Sequence, residues 1–174
     1  MLWLVVLAAA FGALPGAAAQ AAAPGTVVAW GDNADGQLGN GSFSAHVTAA
    51  AVHNLTNVTQ LRGGREHVVA LRSNGTVWAW GHNNYGQVGD GTVTNRNLPV
   101  QVSGLTDVKQ ISTGHYHSMA LKTNGTVWSW GWNHFGQLGD GTTTNRMKPV
   151  RVPGVTGGEE VAGGRDYSVA LVQP

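Results

Sequence analysis

Apolar and polar residues alternate in runs of about five residues along nearly the whole chain beyond residue 24. In Thr76-Val77-Trp78-Ala79-Trp80 the two tryptophans fall on one face of an extended segment, and Val77 and Ala79 on the other. His117-Ser118-Met119-Ala120-Leu121 alternates in the same way. Between such runs stand Arg72-Ser73-Asn74-Gly75 and Lys122-Thr123-Asn124-Gly125. Asn-Gly flanked by alternating runs predicts a tight hairpin whose two central residues both take positive φ. Pro99 and Pro149 open further short strands, Val100–Val102 and Val150–Val152, and Val108–Ile111 reads as another. No window carries a 3.6-residue period, so the pattern predicts an all-β chain of short antiparallel strands.

The runs recur at a fixed spacing of 50 residues. Gly25-Thr-Val-Val-Ala-Trp30-Gly31 aligns without gaps with Gly75-Thr-Val-Trp-Ala-Trp80-Gly81 and Gly125-Thr-Val-Trp-Ser-Trp130-Gly131. Each is followed by a loop ending in Gly-Gln-Leu/Val-Gly: Gly36 to Gly39, Gly86 to Gly89 and Gly136 to Gly139. Gly64-Arg-Glu-His67, Gly114-His-Tyr-His117 and Gly164-Arg-Asp-Tyr167 align too, each leading into a strand that ends at Leu71, Leu121 or Leu171. The repeats are 25–74, 75–124 and 125–174. Four short strands per repeat of this length predict β-propeller blades.

The runs Gly-Thr-Val-Trp-x-Trp-Gly-x-Asn-x-x-Gly-Gln-Leu/Val-Gly-Asp-Gly and Gly114-His115-Tyr116-His117-Ser118-Met119-Ala120-Leu121 resemble the regulator of chromosome condensation repeat. The resemblance covers residues 25 to 174 and implies a β-propeller, in that family usually of seven blades. Three blades do not close a ring, since propellers typically have about 4–8. Strand 26–30 is expected to lack its preceding hairpin partner, and strand 168–172 its following one. Unpaired edges invite strand addition, so one expectation is a head-to-tail homo-oligomer; the other is a fragment of a longer propeller.

Residues 1–23 carry no charge and have an apolar core from Leu2 to about Leu14, then Pro15-Gly16 and small residues. That layout reads as a secretory signal peptide, with cleavage preferred after Ala19 and no basic residue ahead of the apolar run; the alternative is an uncleaved anchor. The expected location is secreted, periplasmic or cell-surface, with no membrane association once the signal is removed.

Composition narrows the chemistry. The chain has 174 residues, 26 of them Gly and none Cys, and 11% are charged. Without Cys there is no disulfide framework, thiolate metal site or Cys nucleophile. The net charge of +1 gives no general attraction to nucleic acid. No Gly-x-Ser-x-Gly stands in the chain, nor a phosphate-cradling loop leading into a helix. His115-x-His117 lacks a third ligand and is not repeated. The Asp32 loop lacks the acidic spacing of a calcium loop. The expectation is no enzyme, no cofactor and no metal. His67 and His117 are expected to hydrogen-bond within their blades, and the Trp pairs to pack between blades. Asn33, Asn83 and Asn133, with Gln37, Gln87 and Gln137, are expected to tie their loops to neighbouring backbone.

Recognition residues are sought where equivalent loop positions differ. Asp32, His82 and Trp132 are equivalent, as are Asp35, Tyr85 and Phe135. Loops on one rim of a rigid scaffold are where binding concentrates, and aromatic anchors with Arg nearby are typical hot spots. The candidates are His82, Tyr85, Trp132, His134 and Phe135, with Arg65, His115, Tyr116, Arg165 and Asp166 on a second loop set. The expected function is a secreted or cell-surface propeller that binds a protein partner. Guanine-nucleotide exchange, the best-known activity implied by the resemblance, is the alternative.

Overall fold

The computed structural model describes residues 26–173, so the signal segment expected over residues 1–23 lies outside the described residues. Twelve strands succeed one another, with no helix among the described residues. They are β1 (Val28–Gly31), β2 (His46–Ala51), β3 (Val58–Gly63), β4 (His67–Arg72), β5 (Val77–Gly81), β6 (Arg96–Gln101), β7 (Val108–Thr113), β8 (His117–Lys122), β9 (Val127–Gly131), β10 (Arg146–Arg151), β11 (Gly158–Gly163) and β12 (Ser168–Val172). Two antiparallel sheets are complete, β3-β4-β5-β6 and β7-β8-β9-β10. Two have only two strands, β1-β2 and β11-β12. β7 touches both β3 and β11, so the first strands of successive blades lie side by side. The architecture is the expected all-β partial propeller, but each sheet straddles a repeat boundary. The second half of one repeat supplies the two inner strands, and the first half of the next supplies the two outer ones.

The β4–β5 hairpin differs from the expected two-residue turn. Only Gly75 takes positive φ (75°); Asn74 does not. Gly75 N donates to Arg72 O (2.9 Å) and Arg72 N to Thr76 O (3.0 Å). The loop is therefore three residues long, and a type I turn followed by a left-handed glycine closes it. The Asn74 side chain accepts from the Thr76 hydroxyl (2.7 Å) instead of bending its own backbone. The outer strands β6 and β10 also begin earlier than the prolines that were expected to open them. Each pairs on one side only, and an edge strand tolerates a residue without an N–H.

Each complete blade is buried on both faces, which is why its strands are apolar on both. Val69, Leu71, Val77 and Ala79 meet Ile111, Ala120 and Trp130 of the next blade. From the opposite face of the same sheet, Ala70 and Trp80 meet Val52 and Leu55. Trp80 and Trp130 are thus the expected inter-blade core. Their companions Trp78 and Trp128 are half-buried, under Arg72 (5.5 Å) and Lys122 (6.0 Å), and Trp30 is exposed.

The histidines bridge blades rather than bonding within them. His67 Nε2 lies 3.0 Å from Ser118 Oγ of the next blade, and that hydroxyl donates to Gln87 O (2.9 Å). His117 repeats the bridge to Ser168 (2.9 Å), which donates to Gln137 O (2.7 Å). Because each serine proton is committed to a carbonyl, the imidazole Nε2 carries the proton that bonds the serine oxygen. Each Nδ1 is left buried and without a partner.

Candidate functional site

The loop after each third strand is held by two side-chain amides. Asn83 Oδ1 accepts from Val88 N (2.9 Å), and its Nδ2 donates to the carbonyls of Thr92 (3.1 Å) and Thr94 (3.0 Å). Asn133 makes the same bonds with Leu138, Thr142 and Thr144. Further along each loop, Asp90 and Asp140 accept from Arg96 and Arg146, both at 2.7 Å. Burial opposes the charge of these carboxylates. The hydroxyl and amide of Thr92 or Thr142, with the guanidinium of Arg96 or Arg146, outweigh it and hold them below the usual carboxylate range.

The second amide has a partner that changes from repeat to repeat. Gln87 Oε1 accepts from Tyr85 N (3.0 Å), so its Nε2 donates to His82 Nδ1 (2.6 Å). Gln37 Nε2 donates to Asp32 Oδ2 (2.8 Å). Trp132 stands at that position in the third loop and offers no acceptor. Gln137 Oε1 still takes Phe135 N (2.9 Å), and Gln137 Nε2 is buried with no partner.

The indole joins a continuous aromatic surface instead. His82 and Tyr85 follow β5; Trp132, His134 and Phe135 follow β9; Arg65 lies in the β3–β4 turn, and His115 and Tyr116 in the β7–β8 turn. His82 N donates to Glu66 O (2.8 Å) and Trp132 N to Tyr116 O (2.9 Å), which fixes loops and turns on one rim. Tyr116 sits at the centre, with ring centroids 5.7 Å from His82, 5.3 Å from Tyr85, 4.9 Å from His115 and 6.0 Å from Trp132. Trp132 stacks parallel to His134 (7°, 5.9 Å) and meets Phe135 edge-on at 5.4 Å. Arg65 donates to the Tyr116 hydroxyl (2.6 Å), its guanidinium 5.6 Å from the ring centroid.

Eight of the ten sequence candidates therefore meet in one patch that crosses two blades. Arg165 and Asp166 do not join it. Their side chains pair with each other (3.2 Å) in the β11–β12 turn. The Arg165 carbonyl accepts from His115 N (3.1 Å), and Arg165 lines a shallow cleft with Arg65 and His115, beside the aromatic rings rather than among them. His115 and His117 do not share a face either: the first lies in a turn against Tyr116, and the second is buried against Ser168. Among the described residues no group of three His, Cys, Asp or Glu is placed to hold a metal ion.

The sequence reading missed Gln137 as part of this site. The signal was present, since Asp and His at positions 32 and 82 are hydrogen-bond acceptors and Trp at 132 is not. What it needed was knowledge that the buried amide five residues on faces that position.

No curated protein matches the chain. Among solved structures it resembles Prp20p from Saccharomyces cerevisiae, at 22% identity and a TM-score of 0.71, over 83% of this chain and 39% of that one. It also resembles yeast RCC1 (Prp20) in complex with Kap60, at 24% identity and a TM-score of 0.74, over 86% and 38%. Human WBSCR16 matches at 22% identity and a TM-score of 0.55, over 86% and 54%. The chain thus spans about two fifths of the yeast proteins and about half of the human one. The model of the regulator of chromosome condensation (RCC1) repeat matches residues 24–71, 74–121 and 124–171, and the chain belongs to that repeat family.

Proposed function

We propose that the protein is a secreted or cell-surface propeller that binds a protein partner through the aromatic rim centred on Tyr116. The single observation behind this reading is the substitution of an acceptor by Trp132. An unpaired buried donor costs about 1–3 kcal/mol, and Gln137 Nε2 is one. The Trp132 side chain lies instead against Tyr85, Tyr116, His134 and Phe135 on a half-exposed surface. Folding alone favours Asp or His there, as in the other two repeats. The rim presents aromatic faces, imidazoles and a guanidinium, the residue types that anchor protein interfaces. The yeast Prp20p structure is described with its binding to Gsp1p and histones, and the second yeast structure is a complex with Kap60. Those protein partners favour a binding role for this repeat scaffold too. Export rests on the uncharged apolar stretch of residues 1–23.

Fractionation of the source cells tests export: the protein is expected outside the cytoplasm, and retention inside it sinks that half of the proposal. Photo-crosslinking from position 134 in the extracellular medium tests the rim. One protein is expected to be captured by the wild type and lost in the Tyr85→Ala/Tyr116→Ala variant. Equal capture by both would remove the rim from the reading.

A further inference from the structure

Residues 65, 115 and 165 are equivalent in the 50-residue period, and all three carry nitrogen-bearing side chains: Arg, His and Arg. They stand in the β3–β4, β7–β8 and β11–β12 turns, just past the first strands of three successive blades. The backbone ties these turns in series. Arg65 N donates to His115 O, and His115 N to Arg165 O, both at 3.1 Å. Glycine precedes each of the three residues, and packing requires it: a Cβ on Gly64, Gly114 or Gly164 would collide with the ring of His67, His117 or Tyr167. A shallow cleft of about 290 Å³ runs across the three turns. Arg65, His115, Arg165 and Thr113 supply its side chains, every other residue lining it is glycine, and no carboxylate lines it among the described residues.

Folding makes little use of the two guanidinium groups. Their side chains are 52% and 77% exposed, and each meets the carboxylate of the next residue through Nε, Arg65 with Glu66 and Arg165 with Asp166, both at 3.2 Å. Exposed pairs of this kind contribute little. A guanidinium is a planar fork of N–H donors, so pairing through Nε leaves its Nη edge available. Both Nη atoms of Arg165 are without an acceptor among the described residues. Arg65 Nη1 donates to the Tyr116 hydroxyl (2.6 Å) and Nη2 has no acceptor there. Because the Tyr116 oxygen accepts in that bond, its own proton is free to be donated.

We propose that this cleft takes an acidic side chain, Asp or Glu, of the protein partner whose apolar group lies on the aromatic rim. The inference rests on the rim reading above and specifies the chemistry of that partner. Two residues make the cleft and the rim one surface. His115 lines the cleft and lies 4.9 Å from the Tyr116 ring, and Arg65 lines the cleft and bonds the Tyr116 hydroxyl. A partner that covers Tyr116 therefore meets two guanidinium forks at the margin of the rings. Parallel N–H groups of such a fork match the two oxygens of one carboxylate. A polyanionic backbone suits the site less well, because Glu66 and Asp166 flank it and the chain has a net charge of only +1.

Two measurements test this. In the first, the purified protein is titrated with tetraglutamate at low ionic strength and followed by amide chemical shifts. Saturable shifts are expected at Arg65, His115 and Arg165, and none with tetraglutamine. The Arg65→Gln/Arg165→Gln variant is expected to bind tetraglutamate about tenfold more weakly or worse. No response at these turns overturns the proposal, and so does an equal response to inorganic phosphate, which assigns a site for free anions. The second measurement repeats the crosslinking from position 134. Arg165→Glu is expected to lose the captured protein at an unchanged melting temperature, since its side chain is exposed and lies outside the aromatic patch. Undiminished capture by Arg165→Glu overturns the acidic partner, and loss of capture in Tyr85→Ala/Tyr116→Ala then leaves the rim standing. If the wild type captures nothing, the rim reading fails by itself, and the peptide titration still decides the cleft.

Discussion

Position 132 separates folding from binding. Replacing Trp132 by Ala or by His removes the same indole and its contacts with Tyr85, Tyr116 and Phe135. Only His restores an acceptor to Gln137 Nε2, as His82 does for Gln87 at 2.6 Å. The difference between the two variants therefore isolates the orphaned donor. Satisfying it is worth about 1–3 kcal/mol. A domain of this size shifts by roughly 2–4 °C per kcal/mol. At pH 8, Trp132→His is expected to melt higher than Trp132→Ala by between about 2 and 12 °C. The acceptor must be neutral imidazole, which titrates near about pH 6.5, so the advantage is expected to shrink at pH 5. Differential scanning calorimetry of both variants at both pH values makes the measurement. Equal melting at pH 8 would refute the reasoning, because it would mean that an acceptor at position 132 adds nothing to Gln137 Nε2. Partner capture is expected to be weakened equally in the two variants, since neither keeps the indole.

Three further outcomes follow from the same geometry. Burial holds the imidazole of His67 down at about 3 and that of His117 at about 4, while both titrate near about 6.5 in the unfolded chain. The unfolded state therefore binds more protons below about pH 6.5, and stability is expected to fall on the order of 1 kcal/mol per pH unit per histidine between there and about pH 4. Urea midpoints at pH 7 and pH 4.5 read this, and His67→Gln/His117→Gln should flatten the profile; an unchanged slope would remove the histidines as its cause. Trp130→Ala, in the centre of the inter-blade core, is expected to cost about 3–5 kcal/mol in denaturant unfolding; a loss below about 1 kcal/mol would contradict its place there. Arg65→Lys keeps the charge but loses the planar group facing Tyr116, so it is expected to weaken partner binding several-fold without moving the melting temperature; unchanged affinity would exclude the guanidinium from the interface.

Strand pattern and 50-residue spacing were enough to show all-β propeller repeats, because the inner strands of each complete sheet are buried on both faces and their apolar residues say so directly; the sheets themselves run across the repeat boundaries. The rim was legible through contrast. Scaffold positions such as Asn83 and Asn133 recur because each satisfies the same loop carbonyls, and the positions free of that duty differ. The hairpin was misread because Asn-Gly serves both a two-residue turn and the last two positions of a three-residue loop. Ser73 and Asn74 keep φ out of the positive range there, and only Gly75 turns left. Arg165 and Asp166 were grouped with the rim by equivalence alone, but among the described residues their sheet holds only β11 and β12.

By itself, the sequence determined local matters: strand periods, turn glycines, the repeat, and which loop positions are free to vary. Only the tertiary structure decided the rest. His67 and His117 join neighbouring blades, Tyr116 gathers side chains from two loops and two turns, and Gln137 lost its acceptor when Trp132 turned to the rim. Trp30, identical in type to Trp80 and Trp130, is the one of the three left exposed. The physical reason is that a period records what each residue needs. Whether the need is met depends on groups about 50 residues away, whose approach is set by how one blade is laid against the next.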